Sequence, residues 1–226
     1  RSFIQWIGGM GIIVFSIAIL PLLGVGGVQL FRAEVPGPVP DKIKPRVQET
    51  AKSLWIIYLG LTAIQVVLLS FGGMNFFDSL CHSFTTVAIG GFSTKNASIA
   101  HFNSAYIEYV IIFFMFIAGV NFTLHWKAIT SSRPLIYFRD GEFKFYGILI
   151  LIVTFFLILN LSLHSGELTH DIFRDSLFQV MSILTTTGFT TADYVHWGPF
   201  AQISLLLLMF VGGSAGSTAG GMKIAR

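Results

Sequence analysis

The chain alternates between long apolar runs and shorter polar segments, and five of the apolar runs approach the length of a membrane-spanning helix. A helix needs about 20 mostly apolar residues to cross the hydrocarbon core of a bilayer. The runs cover residues 3–30, 54–71, 106–126, 145–163 and 200–211. The last run is short and leads into a glycine-rich stretch. This pattern predicts an all-α membrane protein.

Composition supports this fold class and excludes others. Hydrophobic residues make up 54% of the 226 residues and charged residues 11%, against about 25% charged residues in soluble domains. The mean hydropathy is +0.75. A disordered chain, a nucleic-acid-binding protein and an ordinary soluble domain are therefore excluded. The single cysteine, Cys81, cannot form a disulfide within the chain.

Basic residues lie mainly on one side of the predicted bundle. If the polar segments alternate between two sides, 11 of the 14 Lys and Arg residues fall in segments 31–53 and 127–144 and in the C-terminal tail. The segments on the other side, 72–105 and 165–199, contain only two cationic residues. The positive-inside rule places the basic side in the cytoplasm. The chain then begins outside and ends in the cytoplasm.

Two of the outer segments repeat one another. Residues 78–94 read DSLCHSFTTVAIGGFST and residues 175–191 read DSLFQVMSILTTTGFTT. Both copies begin Asp-Ser-Leu and place a Gly-Phe pair 13 residues after the aspartate. The copies are 97 residues apart, and each lies between two predicted spans. The repeated unit is therefore a helix, an outer segment and a second helix.

Each outer segment divides into a short helix and a Thr- and Gly-rich stretch. Asp78 and Asp175 stand at the start of the helical part, where aspartate suits an N-cap. Non-helical backbone at membrane depth is tolerated only where it lines a cavity or is buried in protein. The repeat therefore favours re-entrant half-helices followed by extended filter segments, whose carbonyls replace the water around an ion. The alternative is an amphipathic linker in the membrane interface.

Several strings resemble a known family. TTVAIGGFSTKNAS (85–98), SILTTTGFTTADY (182–194), QWIGGMGIIV (5–14) and GGSAGSTAGGMK (212–223) resemble the Trk-type potassium uptake proteins, relatives of the Ktr and HKT transporters. That family has four repeats of helix, pore loop and helix around one pore. The resemblance implies that this chain is a fragment. Its parts are the closing helix of an earlier repeat (1–30), cytoplasmic linkers (31–53 and 127–144) and two complete repeats (54–126, pore loop about 76–97; 145–226, pore loop about 173–194).

The resemblance also implies which residues bind the ion. The filter glycine of the family falls on Gly91 and Gly188. Glycine suits a position where the backbone needs a positive φ or where loops crowd one axis. Because the first loop has no threonine run, backbone carbonyls rather than hydroxyls are expected as the common ligand. The residues expected to offer carbonyls to potassium are Ile89, Gly90, Thr186 and Thr187, flanked by Ala88 and Thr185.

The glycine-rich stretch 212–221 has two interpretations. Three of its glycines are spaced at i+4, which is typical of a face where helices pack closely. Five glycines with two serines and one threonine in ten residues are, however, poor helix formers. We favour an unwound loop below the filter, which the resemblance implies to be the gate. Its glycines are Gly212, Gly213, Gly216, Gly220 and Gly221.

No second site is predicted. The histidines placed outside, such as His82, His164 and His170, fit no zinc spacing, and a solvated or capping role is expected for them. Spans 54–71, 145–163 and 200–211 contain no Asp, Glu, Lys, Arg or His. Proton-coupled transporters and intramembrane enzymes need such residues within their helices. No metal other than the transported ion is therefore expected.

The predicted function is potassium uptake through a filter of backbone carbonyls. A sodium-selective or sodium-coupled transporter is the first alternative, and an intramembrane enzyme is the second. The resemblance implies a homodimer in the lipid bilayer of the bacterial inner membrane. It also implies a cytosolic nucleotide-binding regulatory subunit, which would contact the basic segments 31–53 and 127–144. No nucleic-acid partner and no cofactor besides potassium is expected.

Overall fold

A computed structural model describes residues 1–19, 47–131 and 134–224 of the chain. Within these residues, helices account for most of the backbone, and an isolated bridge between Val211 and Met222 is the only β-type pairing. Short 3-10 helices cover Ser98–Phe102, Pro134–Arg139 and Tyr194–Trp197. The α-helices are α1 (Ser2–Ile19), α2 (Val47–Phe71), α3 (Phe76–Val87), α4 (Ala105–Ala118), α5 (Phe122–Ser131), α6 (Gly141–Ser165), α7 (His170–Leu184) and α8 (Pro199–Leu208).

The predicted spans 54–71 and 145–163 are confirmed as helices. Residues Ala51–Phe71 of α2 and the whole of α6 are long and apolar enough to cross a membrane. The predicted span 3–30 is helical as far as Ile19, and the rest of it, with linker residues 31–46, lies outside the described residues. The run 200–211 gives α8, whose 10 residues are too few to span a bilayer alone.

The prediction of one continuous helix over 106–126 is wrong. Helices α4 and α5 are separated by a short break and bent by 94°. The backbone of the glycine-rich stretch lies against this break: Ser214 N–H donates to the Gly119 carbonyl at 2.9 Å, and Phe122 N–H donates to the Gly216 carbonyl at 3.1 Å. The apolar run does not predict the break, because the groups that stabilise it come from residues about 95 positions later in the chain.

The short helices α3 and α7, which we call the half-helices, lie where the sequence predicts short helices, but their N-caps differ from the prediction. Asn75 caps α3 and Thr169 caps α7. Asp78 is the third helical residue, and its N–H donates to the Asn75 side chain at 2.7 Å. Asp175 lies in the second turn of α7. The prediction that both aspartates are caps is therefore wrong, because each helix begins before the repeated sequence does.

The two units have the same backbone plan. The long helices α2 and α6 are each followed within two residues by a glycine with positive φ, Gly73 at +90° and Gly166 at +75°. A half-helix follows in each unit, then a loop, then a further helix. Helix α3 packs against α1, α2 and α4, whereas α7 packs against α4, α6 and α8. Helix α4 thus contacts both half-helices, which places the two loops side by side.

Apolar side chains cover both the interior and the outside of the bundle. One buried cluster is centred on Tyr58 and Phe114, and a second is centred on Tyr146 and Phe178. The outer faces of α2 and α6 are also apolar, which is the arrangement expected where helices contact lipid tails. The exposed large residues of those faces include Ile56, Leu59, Ile64, Val67, Ile148, Leu151, Ile152, Phe155 and Leu159.

A glycine holds each half-helix close to its neighbours. A Cβ on Gly9 of α1 would lie 2.7 Å from the Tyr58 hydroxyl and 2.8 Å from Cα of Ala88, at the end of α3. A Cβ on Gly119 would overlap the Tyr146 hydroxyl and lie 3.2 Å from Cγ2 of Thr185, at the end of α7. The two glycines therefore hold equivalent positions in the two units.

We expect Gly119→Ala to lower the melting temperature of the full-length protein in detergent, because overpacking costs about 1–3 kcal/mol. Adding Tyr146→Phe should restore part of the loss, since the Tyr146 hydroxyl accepts and donates no hydrogen bond within the described residues. Gly147→Ala in α6 is the control: its Cβ meets no atom within 4 Å. Equal melting temperatures for the two alanine variants would contradict the close approach.

Candidate functional site

Each half-helix ends in the same unusual backbone turn. The C-caps Ala88 and Thr185 have nearly identical right-handed dihedrals, with φ −78° and −79°. The next residues, Ile89 and Thr186, have positive φ of +55° and +63°. Positive φ is rare for non-glycine residues, and rarer still for β-branched ones. Such strain persists where the surroundings enforce it, and it clusters at functional sites.

Both loops then turn again at the glycine that the sequence predicts. Gly91 has φ of +69° and Gly188 has φ of +85°. The backbone hydrogen bonds of the turns are equivalent as well: Gly90 N–H donates to the Thr85 carbonyl at 2.7 Å, and Thr187 N–H donates to the Ser182 carbonyl at 2.8 Å. The 97-residue repeat is thus a repeat of conformation, residue for residue.

Side chains hold the extended segment after each turn against its own half-helix. We call this segment the returning strand, although it belongs to no β-sheet. Thr85 Oγ1 donates to the Phe92 carbonyl at 2.9 Å, and Ser182 Oγ donates to the Phe189 carbonyl at 2.6 Å. These pairs are again 97 residues apart. Thr85 and Ser182 are fully buried. Sequence reasoning missed this role, although a hydroxyl residue at the same place in both copies was visible.

The two aspartates of the repeat hold the outer ends of the loops. Thr94 Oγ1 donates to Asp78 Oδ1 at 2.5 Å, and Thr191 Oγ1 donates to Asp175 Oδ1 at 3.1 Å. Asp78 also pairs with Lys95 at 3.1 Å. These contacts replace the capping role that the sequence predicted, and they fix the distance between the half-helix and the strand that follows the turn.

The two loops contact each other directly. A Cβ on Gly91 would overlap the carbonyl oxygen of Thr187. Further out, Ala100 N–H donates to the Thr190 carbonyl at 3.2 Å, and Thr190 N–H donates to Ser98 Oγ at 3.2 Å. The structure therefore brings four predicted filter residues, Gly90 and Gly91 with Thr187 and Gly188, to one place.

The predicted filter residues differ in their surroundings. The carbonyl of Gly90 accepts a hydrogen bond from Gln5 Nε2 of α1 at 3.0 Å. Ile89 and Thr187 are buried, whereas Gly188 is exposed, and a Cβ on Gly188 would meet no atom within 4 Å. The first loop is thus enclosed on both sides, by Gln5 and by the second loop, while the second loop has an open side.

The glycine-rich stretch is not helical. Helix α8 ends at Leu208, and Gly216 and Gly221 have φ of +73° and +71°. The interpretation of residues 212–221 as a helix-packing face is therefore wrong. At the base of the stretch, Gly212 N–H donates to the Met222 carbonyl at 2.8 Å, which closes it into a loop. We refer to residues 212–221, the stretch that the sequence predicts to be a gate, as the gate loop.

The gate loop lies next to both turns, where the half-helices α3 and α7 end. Thr218 Oγ1 donates to the carbonyl of Val87, the last residue of α3, at 3.0 Å and contacts the Ala118 carbonyl at 3.2 Å. Gly220 N–H donates to Thr186 Oγ1 at 2.9 Å. A Cβ on Gly213 would lie 2.8 Å from the Gly119 carbonyl. The loop therefore touches both half-helix ends and the break between α4 and α5.

A carboxylate from another element also holds the gate loop. Glu142 Oε1, in the first turn of α6, accepts the Ala215 N–H at 2.7 Å. Lys223, just after the loop, donates to the Ala219 carbonyl. Sequence reasoning missed Glu142 because it sits in a polar linker about 70 residues before its partner, where an acidic residue near a helix start has an ordinary explanation.

Other buried ionisable residues are bonded to neighbouring elements or to backbone. Arg174 joins α7 to α4 through Glu108 at 2.7 Å, with both side chains largely buried, and pairs with Asp171 at 2.9 Å. His82 is fully buried and bonds to the Asp78 carbonyl and to Ser93 Oγ, so the prediction of a solvated or capping histidine is wrong there. No group of three metal-ligating side chains occurs among the residues that the structure covers.

The family comparison covers the whole chain. The family model described as TrkH, cation transport protein, matches residues 1–226. Among curated proteins, the chain is 50% identical to the Trk system potassium uptake protein TrkH of Vibrio parahaemolyticus and 47% identical to that of Escherichia coli K12. It is 40% identical to TrkG of Escherichia coli K12. In each case all of this chain aligns with 47% of the relative, so the chain spans about half of their length.

A solved structure agrees with this comparison. The crystal structure of the potassium transporter TrkH from Vibrio parahaemolyticus superposes with a TM-score of 0.83 at 43% sequence identity. The superposition covers 99% of this chain and 45% of that one. These relatives are named as transport proteins, which removes the intramembrane enzyme from the alternatives. The chain belongs to the TrkH family of cation transport proteins.

Proposed function

We propose that this chain supplies two of the pore loops of a potassium uptake protein. The observation that carries the proposal is the pair of equivalent turns at Ile89–Gly91 and Thr186–Gly188, which lie against each other between apolar helices. Two half-helices that end beside non-helical backbone bring carbonyl groups to one axis. Such an arrangement can replace the hydration shell of a cation, and no charged side chain is needed for it.

The open side of Gly188 supports a pore with more loops than two. Gly91 is in contact with the neighbouring loop, whereas Gly188 has free space in the equivalent direction. In our proposal the whole protein places a further loop there and closes the ring around the ion. The ion-binding residues are Ile89, Gly90 and Gly91 with Thr186, Thr187 and Gly188, and Ala88 and Thr185 flank them.

We further propose that the gate loop controls the inner side of this pathway. Its glycines give the backbone positive φ at Gly216 and Gly221 and close contact at Gly212 and Gly213. The basic linkers are proposed to be cytoplasmic in the inner membrane. They would contact a cytosolic nucleotide-binding subunit, and the whole protein would act as a homodimer, as the sequence resemblance implies.

Serine at the filter glycines should reduce potassium preference over sodium. In Gly188→Ser the added Cβ occupies open space but is held at positive φ, which costs about 1 kcal/mol or more and shifts the carbonyls. Gly91→Ser should have the larger effect, because its Cβ also overlaps the Thr187 carbonyl. The measurement is the permeability ratio of potassium to sodium for the full-length protein in liposomes, with folding checked by size-exclusion chromatography.

Gly166→Ser provides the matched control for this experiment. Gly166 has φ of +75°, and a Cβ added there would meet no atom within 4 Å, but this glycine ends α6 outside the filter. It should cost stability without changing the permeability ratio. If all three variants kept the original ratio, the repeated turns would be structural hairpins. If the unmodified protein preferred sodium, the sodium-selective alternative would replace potassium uptake.

Loosening the gate loop should raise the basal flux of cations. Thr218→Val keeps the shape of the side chain but removes the hydroxyl that donates to the Val87 carbonyl and contacts the Ala118 carbonyl. Deletion of the whole loop would also remove the hydrogen bond between Gly220 and Thr186 of the second turn. The point substitution leaves that bond in place, so its effect on flux can be assigned to the gate loop and not to the filter. Thr130→Val, at an exposed position in α5, is the control. Basal flux in Thr218→Val at or below that of Thr130→Val would contradict a gate.

Labelling tests the proposed orientation. In a Cys81→Ser background, cysteine at Asn96 or Val195 should react with an impermeant thiol reagent added outside cells, because both positions are exposed in the loops that follow the turns. Cysteine at Leu135, which is 70% exposed between α5 and α6, should react only after the membrane is opened. Reaction of all three from one side would be incompatible with two re-entrant loops.

A further inference from the structure

The two pore loops differ at one carbonyl. The Gly90 carbonyl accepts a hydrogen bond from the Gln5 side chain at 3.0 Å. Thr187 holds the equivalent position 97 residues later. Within the described residues no N–H or O–H group donates to the Thr187 carbonyl, which instead lies against Gly91. The two loops therefore have the same backbone conformation, but the carbonyls of Gly90 and Thr187 have different neighbours.

The difference originates in the helix behind each loop. Gly9 and Gly119 are equivalent, since each faces a tyrosine and the C-cap of a half-helix. Counting back four residues from each glycine gives Gln5 in α1 and Met115 in α4. Met115 is fully buried, and a thioether has no hydrogen to donate. The second unit thus has an apolar side chain where the first has an amide.

Contacts around Gly90 fix how the Gln5 amide is oriented. Only the NH2 group can donate to a carbonyl, so Nε2 must face Gly90. The amide is packed against the loop so closely that a Cβ on Gly90 would overlap it. Gln5 Oε1 is buried and accepts no hydrogen bond among the residues described. The Gln5 side chain therefore has one polar partner among the described residues, and that partner is a predicted filter carbonyl.

We infer that Gln5 is a positioning residue of the filter that determines its ion preference by restraining the Gly90 peptide. Selectivity depends on the number and field strength of the carbonyls that reach the ion. A hydrogen bond to one of them restricts rotation of that peptide and lowers the electron density that the oxygen offers. Because Met115 gives the second loop no such bond, the filter is asymmetric, and Gln5 sets the asymmetry. This inference rests on the proposed function of the two loops.

The test compares Gln5→Met with the unmodified full-length protein in liposomes. Gln5→Met fills similar volume and copies the second unit, but it cannot donate. We expect the permeability ratio of potassium to sodium to change by about fivefold, the equilibrium weight of one neutral hydrogen bond. Gln65→Met is the matched control, since Gln65 in α2 is also buried, and its amide has no hydrogen-bond partner among the described residues.

Gln5→Glu distinguishes a hydrogen-bonding role from a structural one, because a side chain that only fills space would not make the permeability ratio depend on pH. A neutral carboxyl group can donate to the Gly90 carbonyl, whereas a carboxylate cannot. The permeability ratio of Gln5→Glu should therefore return toward that of the unmodified protein as the pH falls. If Gln5→Met does not fold, Gln5→Glu measured across pH carries the test alone.

The outcomes separate this inference from the proposed function. An unchanged permeability ratio in Gln5→Met, an equal change in Gln65→Met, or a ratio in Gln5→Glu that stays different from that of the unmodified protein down to the lowest pH would each overturn the role of Gln5. In those cases a selective unmodified protein would still leave the proposed filter in place. Absence of cation selectivity in the unmodified protein would instead remove the proposed function.

Discussion

Backbone that leaves a helix inside an apolar bundle must find hydrogen-bond partners for its N–H and C=O groups, because lipid offers none. The two turns meet this requirement in the same way. The N–H groups of Gly90 and Thr187 reach back to carbonyls of the half-helix, and buried hydroxyls of Thr85 and Ser182 donate to carbonyls of the returning strand. The carbonyls of Thr85 and Ser182 and of Phe92 and Phe189 are used in this bonding, and the carbonyls within the turns are the ones that we propose reach the ion.

The same constraint explains why the two copies can diverge in sequence while keeping one conformation. Threonine and serine both supply the hydroxyl that holds the returning strand. Ile89 and Thr186 both accept positive φ because the bonds on either side enforce it. The contacts from outside each loop differ. In the first loop the Gln5 amide donates to the Gly90 carbonyl and the Thr187 carbonyl lies against Gly91, whereas a Cβ on Gly188 in the second loop would meet no atom within 4 Å. The two loops therefore share one backbone conformation, and they differ in the groups that surround them.

The sequence predicts features that depend on local pattern and on the repeat. These are the apolar helices, the two half-helices and the glycines with positive φ at 91 and 188. It does not predict the bend at Gly119, because the stabilising partners come from residues 214–216, or the caps Asn75 and Thr169, because they precede the repeat. Gln5 also escapes prediction, since a lone neutral residue in an apolar helix has many ordinary explanations.

Hydrogen bonds link the gate loop to the end of α3 and to the second turn of the proposed filter. The carbonyls at the C-terminal ends of helices lack partners within the helix, and the gate loop supplies donors to Val87, Ala118 and Gly119. Its own Gly220 N–H is satisfied by Thr186 of the second turn. Moving the loop therefore leaves several buried polar groups unpaired, at about 1–3 kcal/mol each, unless water replaces the loop. If this loop moves as the proposed gate, water must therefore enter the space that it leaves below the proposed filter.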